Sequence, residues 1–171
     1  MAKQLPAVLK NYNVFVDSDS YAGTAKTIEL PEIVKKTEKY RGAGMIGDID
    51  LDMGFEKMES TITYTGVDSR HFAQLAKCGV SDLPIRYVGA YERQDICKHV
   101  IREVYMRGSL KEFQLGEIEL GSINEQELLY GVTYLKVVDD GFELCEIDLV
   151  NGICILGGVD KTSQINAMLG L

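Results

Sequence analysis

Lys57-Met58-Glu59-Ser60-Thr61-Ile62-Thr63-Tyr64-Thr65 alternates with a period of two: Met58, Ser60, Ile62 and Tyr64 share one face, and Lys57, Glu59 and three threonines share the other. Strand side chains point alternately to opposite faces, whereas a helix would scatter this pattern around its axis. The run predicts a strand with one buried face. Just upstream, Asp48-Ile49-Asp50-Leu51-Asp52-Met53 repeats the alternation in purer form, with carboxylates on one side and aliphatics on the other. As a strand it presents an acidic face opposite an apolar one. Tyr40-Arg41-Gly42-Ala43-Gly44-Met45 precedes it, and its glycines supply the backbone freedom of a tight reversal.

Outward from these runs, turn signals recur at short intervals, as in an antiparallel sandwich or barrel. Asn13 to Val16 and Tyr21 to Leu30 flank Asp17-Ser18-Asp19-Ser20, which reads as a hairpin turn joining them. Ile85 to Arg93, Cys97 to Arg107, Leu128 to Val138 and Phe142 to Asp148 are rich in strand-forming residues, and Asp139-Asp140-Gly141 turns the last pair. Two short helices interrupt the strands. The first is expected from Ser69 to Cys78, capped by Asp68 and stopped at Gly79; the second follows Asp160, carries Ile165, Met168 and Leu169, and ends at Gly170. Pro31 to Arg41 is ambiguous, since Ile33, Val34, Thr37 and Tyr40 form a helical stripe while the position before the glycine reversal suits one arm of a hairpin. With no repeat, low-complexity tract or linker, residues 1–171 read as one mainly β domain.

Bulk properties exclude several function classes. A formal net charge of −8, from 26 acidic and 18 basic residues, argues against wrapping nucleic acid, which relies on clustered cations. No segment approaches the ~20 apolar residues of a helical membrane span, so no direct membrane insertion is expected, and folding is expected in a cytosol. His71 and His99 have no nearby nucleophile pattern, and neither a phosphate loop nor a dinucleotide fingerprint occurs, so an enzyme and a cofactor are not expected. Cys78, Cys97, Cys145 and Cys154 lack zinc or redox spacing and read as small buried hydrophobes or as disulfide partners of unknown pairing. A calcium loop is the rival for the acidic run: Asp48, Asp50, Asp52 and Glu59 sit at positions one, three, five and twelve. Met53 occupies the position that demands glycine, which counts against it.

Specific strings then bring a family into view. Tyr40-Arg41-Gly42-Ala43-Gly44-Met45, Pro84-Ile85-Arg86-Tyr87-Val88-Gly89-Ala90-Tyr91, Met106-Arg107-Gly108, Thr133-Tyr134, Glu146-Ile147-Asp148, Gly158-Val159-Asp160 and Leu169-Gly170-Leu171 occur in that order along the chain. Together they resemble the major tail tube protein of contractile-tailed bacteriophages, a family shared with the tube of R-type pyocins. The resemblance implies a structural subunit, found in the virion tail and assembled in the host cytoplasm. Its subunits form stacked hexameric rings, enclosed by a sheath protein and completed by a tube-initiating baseplate protein, a tail terminator and a tape-measure protein. DNA would pass through without specific binding. A bacteriocin or secretion-type ring without DNA cargo is the alternative, and a calcium-binding β module the remote one.

The resemblance also implies that Thr24 to Met58 supplies a long hairpin lining the lumen, which decides for strand in Pro31 to Arg41. Asp48, Asp50 and Asp52 would then face the bore. Arg41, Gly42, Gly44 and Met45, the stretch Leu110 to Asn124, and the terminal Gly170 and Leu171 would contact neighbouring copies. Two hairpin registers are open: one sets Lys39 against Asp48 and Lys35 against Asp52, the other sets Glu38 against Asp50 with Lys36 beside Asp52.

Overall fold

The computed structural model describes residues 5–170. In chain order these form β1 (Ala7–Val16), β2 (Asp19–Ser20), β3 (Ala25–Glu29), β4 (Lys35–Tyr40), β5 (Ile49–Phe55), β6 (Met58–Thr65), α1 (Arg70–Leu75), β7 (Leu83–Arg93), β8 (Lys98–Gln114), β9 (Glu125–Asp139), β10 (Phe142–Asp148), β11 (Ile153–Leu156), β12 (Val159–Asp160) and α2 (Ser163–Leu169). Every strand pairing is antiparallel. The expected mainly β architecture with two short helices is what the chain adopts.

The run at 57–65 becomes β6, with Met58, Ser60, Ile62 and Tyr64 all buried and the intervening residues half-exposed. β6 lies beside β9 in unbroken register from Met58↔Val132 to Thr65↔Glu125. Beyond residue 132 the same edge of β9 pairs with β10 instead, so one long strand serves two branches of a ten-stranded sheet. On its other edge β9 leads through β8 and β7 to β1 and β2. The sheet curls until β1 approaches β3, where the Tyr12 hydroxyl donates to the Ala25 carbonyl at 3.2 Å. One apolar cluster fills the interior, including Val14, Ile62, Ile85, Met106, Leu128 and Leu135.

Glycine at 108 has a packing reason. A Cβ there would collide with the Gly131 carbonyl on β9, beside the register shift between Arg107 and Gly108. Two strands cross more closely than any side chain permits.

Helix α1 is shorter than expected, ending at Leu75 rather than Cys78, and its C-cap is Ala76 rather than the glycine at 79. The Asp68 carboxylate accepts the Arg70 amide at 2.9 Å and so serves the helix start. The helix is held by polar contacts: Gln74 donates to the Tyr21 hydroxyl at 2.8 Å and accepts from the Tyr130 hydroxyl at 2.9 Å. His71 is fully buried among the Tyr21, Tyr64 and Phe113 rings, and neither ring nitrogen has a hydrogen-bond partner.

The expected hairpin between residues 13–16 and 21–30 is corrected. Asp17 and Ser18, both at positive φ, make the turn, and β1 pairs across it with only Asp19–Ser20. β3 leaves to pair with β6, because residues 21–25 turn on their own hydrogen bonds, with the Ala25 amide donating to the Tyr21 carbonyl.

Candidate assembly surfaces

Strands β4 and β5 form a two-stranded sheet of their own. The segment left ambiguous by its helical stripe is thus a strand from Lys35. β5 begins at Ile49, so Asp48 lies just outside the strand. The register matches neither expected pairing: Lys39 opposes Asp50, Glu38 opposes Leu51, Thr37 opposes Asp52, and the pairing shifts before Lys35↔Phe55. Gly54, at φ +101°, sits in that shift and permits the bulge.

This register puts lysine and aspartate on one face. Lys35 Nζ lies 2.7 Å from Asp52 Oδ2, and the Gly54 amide donates to Asp52 Oδ1 at 3.0 Å. These contacts, the Lys35 bond first, hold the Asp52 carboxyl below its ordinary pKa. The face expected to be acidic thus also carries Lys35 and Lys39, with Lys35 paired to Asp52 and Lys39 opposite Asp50 in the register. Tyr40, Ile49, Leu51 and Met53 occupy the other face and are 51, 46, 42 and 54% exposed.

The reversal between these strands is a formed turn. The Met45 amide donates to the Gly42 carbonyl at 3.2 Å, Arg41 donates to the Ile46 carbonyl at 3.3 Å, and Gly44 takes φ +85°. Ile46 projects fully into solvent at its tip.

The stretch 110–124, expected to contact neighbouring copies, is part strand and part loop, and its loop carries exposed aliphatics among its polar residues. Residues 110–114 belong to β8, and Leu115, Ile118, Leu120 and Ile123 in the following loop are all exposed. Helix α2 likewise turns Ile165, Met168 and Leu169 to solvent and ends at Gly170, φ +75°. Leu171 lies outside the described residues.

The calcium geometry does not form. Asp52 is tied to Lys35, and Glu59 is tied to Lys111 and Lys57, which pull its carboxyl down to about 2. Among the described residues no three acidic, histidine or cysteine side chains converge on a metal position. All four cysteines are free thiols; Cys145 and Cys154 are buried as expected of small hydrophobes, whereas Cys78 and Cys97 are exposed.

One surface escaped the sequence reading. On the outer face of the large sheet, cross-strand register aligns Phe15, Arg86, Tyr105 and Lys136 on four successive strands. The Arg86 guanidinium lies 5.7 Å from the Phe15 ring centroid and 5.4 Å from that of Tyr105, while Arg107 covers Tyr134 at 4.5 Å. These residues line an open groove of about 720 Å³. Its members are separated along the chain, and only the alternation of Tyr105 and Arg107 around buried Met106 hinted at a shared face.

Comparison with known proteins agrees with this architecture. The chain is 38% identical over 170 residues to the tail tube protein of Escherichia phage P2, covering 98% of this chain and 99% of that one. It is 29% identical over 151 residues to the major tail tube protein of Serratia phage KSP20, covering 87% and 86%. Its fold is similar to a chain in the sheath/tube terminator structure of an extracellular contractile injection system, PVC, with a TM-score of 0.61 at 10% identity, covering 80% of this chain and 99% of that one. A chain of the anti-feeding prophage baseplate gives a TM-score of 0.60 at 10% identity, over 80% and 97%. The family profile of phage tail tube protein FII matches residues 6–170. On the profile match and the full-length likeness to the P2 protein, the chain belongs to the phage tail tube protein FII family, whose members are structural rather than enzymatic.

Proposed function

We propose that this tail tube subunit closes into hexameric rings that stack into a DNA-conducting tube inside a contractile sheath, with the β4–β5 hairpin lining the bore. The observation that carries this reading is the hairpin itself. An isolated two-stranded sheet is marginal in water, yet this one carries an apolar face of Tyr40, Ile49, Leu51 and Met53 that its own chain leaves exposed. Among the described residues neither of its outer edges has a strand partner. Neighbouring copies would cover that face and pair those edges, as closure of a barrel removes exposed strand edges.

In this arrangement Asp50 and Asp52 face the bore, with Asp48 at the strand's mouth. DNA binding is driven by release of counterions when cations neutralise phosphates. Lys35 is bonded to Asp52, and Lys39 stands opposite Asp50 in the strand register. The bore therefore offers DNA little free cation, and a charge-paired, hydrated wall lets it slide. The reversal at 41–47, the loop at 115–124 and the C-terminal residues through Gly170 and Leu171 contact adjacent copies. Sheath, baseplate, tape-measure and terminator proteins are the remaining partners, and the host cytoplasm is the site of assembly.

Negative-stain microscopy of the purified protein tests the reading. Stacked rings with a central bore are expected; a monomer at all concentrations sinks it. In assembled tubes, Asp50→Asn/Asp52→Asn would unpair Lys35 and remove the carboxylate facing Lys39, and is expected to slow DNA release from particles, while unchanged release removes the bore-facing assignment.

A further inference from the structure

We propose that the β8–β9 loop of one copy docks into the cationic, aromatic groove of another, a contact that rests on the tube reading above. The loop is a shaped protrusion. The Gly66 amide donates to the Asn124 carbonyl at 2.8 Å at its root, and the Ser122 amide and hydroxyl both donate to the Glu119 carbonyl, at 3.2 and 2.9 Å. It carries Glu117 and Glu119 but no cation, and between and beside them Ile118 and Leu120 are 84 and 104% exposed. With Leu115 and Ile123, also exposed, they gather four aliphatics on one loop, and an apolar patch in water points to a contact site where single exposed aliphatics would not.

The groove has the opposite character. Phe15, Tyr105 and Tyr134 offer ring faces and edges for aliphatic side chains, and Arg86, Arg107 and Lys136 rise among them. Arg86 is held by Glu103, and Lys136 by Glu143 and Glu146 on β10. Arg107, stacked on Tyr134, makes no ion pair among the described residues. A guanidinium fixed on a ring with its donors free is a receptor for a carboxylate. Glu117 and Glu119 supply carboxylates, and Ile118 and Leu120 supply the apolar surface for the rings.

A copy does not fill its own groove. The loop starts at Leu115, eight residues beyond Arg107 along β8, roughly 25 Å at strand rise. The contact therefore joins two different patches on two copies. Such a heterologous contact propagates into rings or open filaments, whereas a self-complementary patch stops at a dimer. Its geometry suits a chain that must polymerise.

The test uses two charge-reversed full-length variants, Glu117→Lys/Glu119→Lys and Arg107→Glu, each first shown by circular dichroism to melt like the wild type. Each alone is expected to form about tenfold fewer tubes than wild type at matched concentration and low salt, and an equimolar mixture to recover most of the yield, because opposite charges then meet again across copies. Variants that assemble normally, or a mixture no better than its components, overturn the docking. Wild-type protein that stays monomeric overturns both readings, whereas assembled wild type with indifferent variants overturns the docking alone.

Discussion

The curled sheet and the β4–β5 hairpin are built from the same alternating grammar, yet they solve burial in different ways. In β6 the apolar positions Met58, Ile62 and Tyr64 are at most 2% exposed, because β9 and the strands beyond it wrap around them. In β5 the equivalent positions Ile49, Leu51 and Met53 stay at 42% or more. Alternation therefore specifies a strand and its two faces, but not who covers the apolar one. The sheet is completed by its own chain, whereas the hairpin's apolar face is left exposed by that chain and, in the tube proposed above, would be covered by other copies.

The sharpest way to separate the two regions is to damage each and compare subunit stability with assembly. Leu128→Ala, at a fully buried position between β6 and β8, is expected to cost about 2–5 kcal/mol and lower the melting temperature by roughly 4–20 °C. Thermal denaturation of the monomer reads this directly; a smaller change would mean the core relaxes into the space. Gly108→Ala forces β8 away from the Gly131 carbonyl and should cost about 1–3 kcal/mol, with faster amide exchange localised to the β8–β9 crossing.

His71 gives the sheet a pH dependence in a range where the hairpin's Asp52, held below the ordinary carboxylate value by Lys35, stays charged. Burial among the three rings lowers its pKa below the ordinary value, with Asp68 opposing and Arg70 reinforcing the shift. The unfolded chain binds the proton more readily, so stability is complete above about pH 6.5 and declines as pH falls towards the folded pKa, by about 1.4 kcal/mol per unit of separation. His71→Phe is expected to flatten the melting profile between pH 7 and 5; an unchanged slope would assign it to carboxylates. Leu51→Asp is the opposite probe, altering the melting temperature of the monomer least, within about 0.5 kcal/mol, while abolishing tubes by microscopy. A large loss of monomer stability there would erase the distinction between the two regions.

Legibility in the sequence follows the same divide. The period at 57–65 was readable because every second residue is buried by the fold of a single chain. The strand at 35–40 was not readable from propensity, since none of its residues is buried and no core disciplines its pattern; family strings alone decided it. The hairpin register was hidden because Gly54 inserts a bulge whose place depends on backbone geometry. The partner of β3 was missed because a polar cluster suggested a local turn, while the Tyr21 hydrogen bonds that redirect the chain involve main-chain atoms. Around His71 the sequence shows only the lack of a nucleophile pattern, and nothing near it announces that Tyr21, Tyr64 and Phe113 meet around it.

The bulge at Gly54 has a mechanical consequence. It lies where the two-stranded sheet joins the rest of the molecule, and the ladder of that sheet is separate from the ten-stranded one. Among the described residues no continuous hydrogen-bonded strand pair runs from one to the other, so the connecting residues 30–34 and 56–57 are expected to absorb twist imposed on the hairpin rather than pass it into the core. In the stacked tube proposed above, the hairpin layer would then be free to adjust its pitch as the tube bends, while each subunit body keeps its shape.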